Sequence, residues 1–149
     1  MSRAVVIDSI LNNTTLHNLG FTSDNVLANF DGDQRPPGGG TFKMFMVIRW
    51  GVDDAPPWRA QGAPNGPRHF DVWVHMPREM STDYVHIDNV LNILDSVFND
   101  IINTPGADGN TLVLIEPEGR SRDLRDDGYQ TLCRQASYLM LSRVTQTVP

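Results

Sequence analysis

Between residues 87 and 102 the apolar side chains Ile87, Val90, Leu91, Leu94, Val97, Phe98, Ile101 and Ile102 recur at spacings of three and four, which places them on one stripe of an α-helix. A stripe that wide has to be buried against another element. Just upstream, residues 68–76 alternate: Phe70, Val72, Val74 and Met76 point one way, and His69, Asp71, Trp73 and His75 the other, the two-residue period of a strand. Pro77 removes a ladder donor and ends that strand, and Ser81, Thr82 and Asp83 offer three alternative N-caps for the helix. A helix of ~20 residues would be ~30 Å long, enough to cover much of one face of a small sheet. The chain is therefore organised around a strand, a polar turn and one long helix spanning residues 68–102.

The flanking segments supply partners for this unit. Val5, Val6, Ile7, Ile10 and Leu11 predict a helix over residues 2–13, with Ser2 as a possible N-cap and Asn12-Asn13 as its end. Residues 25–30 are short and partly β-prone. They close in the Asp31-Gly32-Asp33 turn and run into QRPPGGG, which supports neither regular structure and reads as a mobile loop. In residues 41–50, Phe42, Met44, Met46, Ile48 and Trp50 share one face, and Lys43, Phe45, Val47 and Arg49 the other. Both faces are apolar enough for a central strand covered on one side and at least partly on the other. Residues 51–67 form a second Pro/Gly-rich loop, longer than most connections in a compact domain. Trp58 and Arg59 within it are residue types enriched at binding hot spots, so the loop either orders on assembly or folds its tryptophan back on the domain. Residues 111–115 predict a short strand, and residues 120–128 a charged hairpin or loop. Residues 129–144 favour a strand with Leu132, Ala136, Tyr138, Met140 and Val144 on one face, although Leu132, Ala136, Leu139 and Met140 also fit a helix.

The expected fold is α+β: a small antiparallel or mixed sheet of four to five strands, with an N-terminal helix and one long helix packed on it, in the order α-β-β-β-α-β-β. A chain of 149 residues fits a single domain, here with long loops at 31–40 and 51–67. Eighteen acidic against twelve basic side chains give a net charge of −6, which argues against general phosphate neutralisation of DNA or RNA and suits a conduit for a duplex better than a clamp. The lone cysteine, Cys133, leaves no intrachain disulfide. The N-terminal residues do not make a secretory signal and no run reaches the ~18 apolar residues of a membrane span, so residence in a cytoplasm is the default expectation.

Local chemistry is sparse. His69, Asp71 and His75 share a strand face, but the histidines are six positions apart, ~20 Å along an extended chain, too far for one metal. His86, between Asp83 and Asp88, reads as a solvated helix face. The Gly38-Gly39-Gly40 run lacks the lysine of a phosphate loop. Arg120, Arg122 and Arg125 are interspersed with Ser121, Asp123, Asp126 and Asp127, a mixture suited to ion pairing within the chain or to contact with a neighbouring subunit. No nucleophile, base and orienting group stand together, and no enzyme activity, cofactor or metal is expected.

One resemblance gives these residues a function. The tryptophan-bearing strand that ends in His75-Met76-Pro77-Arg78, followed by Asp83-Tyr84 and by Ile87-Asp88 opening the helix, resembles the tail terminator proteins of long-tailed, siphovirus-type bacteriophages, particularly phages of actinobacteria. Arg49-Trp50-Gly51 and Asp127-Gly128-Tyr129 extend the likeness loosely over most of the chain. The resemblance implies a structural virion protein: a homo-oligomeric, usually hexameric, ring at the head-proximal end of the tail tube that stops tube polymerisation and joins tail to head. Its partners would be the tail tube protein and a head–tail connector or neck protein, with viral DNA passing through the channel. Another neck or connector protein, or a small enzyme or ligand-binding domain, are the alternatives. The candidate contact residues are Asp31, Arg35, Asp53, Asp54, Trp58, Arg59, Arg120, Arg122 and Arg125.

Overall fold

The computed structural model describes residues 3–53, 68–101, 103–105 and 110–144. In chain order the elements are helix α1 (Arg3–Leu11), helix α2 (Thr14–Asn18), strands β1 (Val26–Ala28), β2 (Phe45–Asp53) and β3 (Arg68–Pro77), helix α3 (Val85–Asn99), and strands β4 (Thr104–Pro105), β5 (Asn110–Arg120), β6 (Leu124–Asp126) and β7 (Thr131–Val144). The fold is α+β, with a curled mixed sheet of seven strands in the order β1-β2-β3-β7-β5-β4 and β6 paired beside β7. β1 runs parallel to β2, and the other pairings are antiparallel.

The strand count corrects the expected four to five. The extra strands, β4 and β6, span two and three residues. They are stretches too short to show a period of two, and pairing with β5 and β7 alone defines them. β5 also extends past its expected end at Ile115 to Arg120, because the register slips between Pro117 and Gly119 and lets the strand continue past a residue with no donor. Helix α2 is a further addition. Its Thr-Thr-Leu-His-Asn sequence has poor helix propensity, but the Asn13 side chain accepts from the Leu16 amide at 2.9 Å and caps its first turn.

β3 lies between β2 and β7 and pairs with β7 from Arg68 opposite Met140 to Pro77 opposite Thr131. Its face of Phe70, Val72, Val74 and Met76 is fully buried, as the alternation predicts. Against that face α3 lays Ile87, Val90, Leu91, Leu94, Val97 and Phe98. α3 has 15 residues rather than ~20, roughly 22 Å at 1.5 Å per residue, and ends in an Asn99-Asp100 pair of weak helix formers. Of the expected caps, Asp83 accepts from the Val85 amide at 3.0 Å, and Ser81 braces Asp83. The same core takes Val5, Val6 and Ile10 of α1, Met44, Met46 and Ile48 around β2, and Leu132, Ala136, Tyr138 and Met140 of β7, which settles residues 131–144 as strand.

Candidate assembly surface

The opposite face of the sheet carries no helix among the described residues, yet one end of it is as dry as the core. Phe45, Val47, His75, Thr131 and Cys133 are all under 6% exposed there. Register places Phe45 opposite His75 and His75 opposite Cys133, so three adjacent strands bring these groups into one patch. The cover comes from Tyr129, in the turn before β7, and from residues 29–40, which cross the face as a strap. Tyr129 sits edge-on to Phe45 and to His75, Phe30 tilts against Tyr129, and the Tyr129 hydroxyl donates to the Gly32 carbonyl. Phe45 stacks on the His75 ring with centroids 4.6 Å apart. His75 shares a 2.8 Å hydrogen bond with Thr131 Oγ1, and burial lowers its pKa to about 4 against a partial offset from Asp126. Burial likewise pushes the Cys133 thiol up to about 11 and leaves it unreactive.

Glycine contacts pack the strap down against neighbouring backbone, over the 34–40 segment that the sequence reads as a loop. A Cβ on Gly38 would fall 1.8 Å from the Lys43 carbonyl oxygen, and Gly39 bridges Met44. Gly20, at φ +102°, meets the Gly40 backbone so closely that a Cβ would lie 2.2 Å from its nitrogen. The Asn25 amide fastens this crossing by donating to the Gly20 carbonyl at 2.7 Å.

The predicted contact residues are spread over several surfaces. Asp31 is exposed on the strap. Arg35, further along it, pairs with Glu79 and donates to the Tyr129 carbonyl, and its hydrogen bond holds the Glu79 carboxyl below the usual range. Arg120 is turned inward to α3, where it donates to Asn92 Oδ1 at 2.9 Å and Asp95 Oδ2 at 2.8 Å. The Tyr138 hydroxyl donates to the other oxygen of Asp95 at 2.6 Å, and burial with that bond pushes its pKa up. This brace lines clefts of about 300 Å³ between α3 and β5, but its polar atoms satisfy one another and the tyrosine is held protonated. Arg122 and Arg125 are exposed on either side of Leu124, and their side chains make no hydrogen bond or ion pair with a described residue. Asp53 pairs by backbone register opposite Arg68, while Asp54, Trp58 and Arg59 lie outside the described residues.

Three groups missed by sequence reasoning shape these surfaces: Tyr129, Arg134 and Glu79. Arg134 holds Asp88 of α3 and the Ser121 carbonyl, and lies 3.6 Å from Asp123, so it pins the charged 121–123 segment to the helix. Its position between apolar residues of β7 was the available signal, since a charge on a core-facing strand position needs a partner. His69 pairs with Glu118 and His75 with Thr131, which places the two imidazoles in separate environments. Among the described residues no group of three or more His, Cys, Asp or Glu side chains could hold a metal, and no helix is long and apolar enough to cross a membrane.

No protein-family model and no curated protein matches the sequence. A solved structure whose name carries no functional description is similar in fold, with a TM-score of 0.52 and 16% identity over 100% of this chain and 99% of that one.

Proposed function

We propose that this chain is a structural subunit of a bacteriophage tail terminator, assembling into a ring that caps the head-proximal end of the tail tube. The observation that carries the reading is the residue pattern resembling that family, from the β3 strand to His75-Met76-Pro77-Arg78 and the opening of α3. In the structure it occupies the middle of the sheet and the helix covering it. A resemblance placed there concerns the scaffold of the fold and not a loop. The polar clusters further support a role in contacts over one in chemistry. Arg120, Asp95 and Tyr138 are consumed in a brace, whereas Arg122 and Arg125 point into solvent where a neighbour could meet them.

Ring closure requires a heterologous contact, in which one patch of each subunit meets a different patch of the next. The acidic total of the chain would then limit sticking of DNA passing through the lumen. The test is to add purified protein to polymerising tail tube subunits from the same genome and measure tube length by electron microscopy. Tubes that stop at a ring-capped end support the terminator. Binding to head portals with no effect on tube length supports another neck component instead.

A further inference from the structure

At the end of the sheet where β3 stops, Arg35, Pro36, Pro37, Gly38, Lys43 and Pro77 line a cavity of about 290 Å³, with Glu79 at its wall. Lys43 is the only lysine in the chain. It is exposed, makes no ion pair with a described residue, and sits at φ +54°, a left-handed conformation that costs a non-glycine residue energy. The tight approach of Gly38 to the Lys43 backbone holds that conformation, and Lys43 lines the cavity from this turn. Arg35 is held by Glu79 and the Tyr129 carbonyl, so its guanidinium is ordered in advance. Three prolines stiffen the walls. A pocket with two oriented cations against one carboxylate, built on rigid backbone, is suited to receive a carboxylate with little ordering cost.

The chain carries a matching group at its diagonal corner. Glu116 and Glu118 flank Pro117 on β5, and all three are exposed; Glu118 is already paired with His69, whereas Glu116 makes no ion pair with a described residue and is the carboxylate this edge offers. Glu116 stands opposite Leu139, which stands opposite His69 near the start of β3, whereas the pocket lies beside Pro77 at the end of β3. That separation is ~26 Å along the strands, and the step from β2 to β5 adds ~14 Å across the sheet. Groups so far apart on one subunit meet only between subunits. Pro117 and the adjacent register slip blunt this edge against strand addition, so its side chains, not its backbone, are what it offers. Asp31 and Asp33, the acids of the strap, lie near Tyr129, whose hydroxyl is pushed up first by burial and then by Asp126, with these two carboxylates adding to it, so they sit on the pocket's own side.

We infer that the Arg35/Lys43 pocket receives the Glu116-Pro117-Glu118 edge of a second copy of this chain, forming the head-to-tail contact of the ring; this rests on the ring reading above. For an acidic chain it also places cations where two like-charged subunits would otherwise repel.

The test uses the full chain and measures association by sedimentation velocity and native mass spectrometry at several concentrations, with circular dichroism to confirm folding. Lys43→Asp keeps a residue type that tolerates a positive φ, and Glu116→Lys changes an exposed strand position. Each variant alone is expected to weaken association on the order of tenfold or more. An equimolar mixture of the two should restore it, because each reversed lysine site then meets the reversed glutamate site of the other variant. If the wild type forms rings and both variants form them equally well, the contact is wrong while the ring reading stands. If the variants weaken association but the mixture does not rescue it, the pairing is overturned. A wild type that stays monomeric at all concentrations, with and without tail tubes, overturns the contact and the ring together.

Discussion

His75 shows how far a side chain's behaviour is set by its cover. An imidazole under Phe45 and Tyr129 takes up a proton only at about pH 4, against 6.5 in the unfolded chain, because burial removes the water that would solvate the charge. The folded state therefore binds fewer protons between those values. The stability tied to His75 is complete above pH 6.5 and is lost progressively as pH falls towards 4. The 2.5-unit difference corresponds to roughly 3 kcal/mol as an upper bound. Urea denaturation at pH 7.5 and pH 5 should show the wild type losing more stability than His75→Gln; equal losses would refute this role. The sequence placed His75 on the polar face of its strand, which is correct by period. Its burial was not legible, because the cover depends on Phe45 and Tyr129, 30 and 54 positions away, and on a strap with no periodic signal, and no pattern along β3 announces them.

At the scale of elements, the strap over the outer sheet face is held at its far end by close backbone contact, in addition to the side-chain contacts around Tyr129. Gly20 and Gly40 both have positive φ and cross with no room for a Cβ. Gly20→Ala should cost at least ~2 kcal/mol, through the left-handed backbone and the displaced strap, and should expose the patch around Phe45. Thermal unfolding with fluorescence of a dye that binds apolar surface would check both effects; an unchanged midpoint would show that the crossing can relax. The three glycines at 38–40 announced a break in regular structure in the sequence, but not that the break would be pressed onto the sheet. Composition reports what a segment cannot form, and its docking depends on what lies opposite. The long helix was legible in type, face and start, and only its length was overestimated, because Ile101 continues the stripe after the helix has ended and packs on the core from outside it.

For the molecule as a whole, the β3–β7 ladder is the spine. It joins the strand before α3 to the last strand of the chain through ten register pairs. Amides in the centre of that ladder are expected to exchange with solvent only through global unfolding, while those of β1, β4 and β6, three residues long or fewer, should exchange through local opening. Hydrogen exchange followed by mass spectrometry or NMR would show this order, and equal protection across all strands would refute it.

The sequence by itself determined the elements whose burial repeats at a fixed spacing: the apolar stripe of α3, the inward face of β3 and the two apolar faces of β2, while β7 it favoured as a strand without excluding a helix. Those patterns are local, since a residue's partner face is set by its position along its own helix or strand. Only the tertiary structure decided that one end of the second sheet face would be sealed by Tyr129 and a glycine-laced strap 97 positions away in the chain. It likewise decided that Arg120 would be spent on Asp95 within the chain while Lys43, beside Arg35, makes no ion pair with a described residue. Contacts of that kind join residues far apart in sequence, and single pairings leave no period along the chain for a sequence to display.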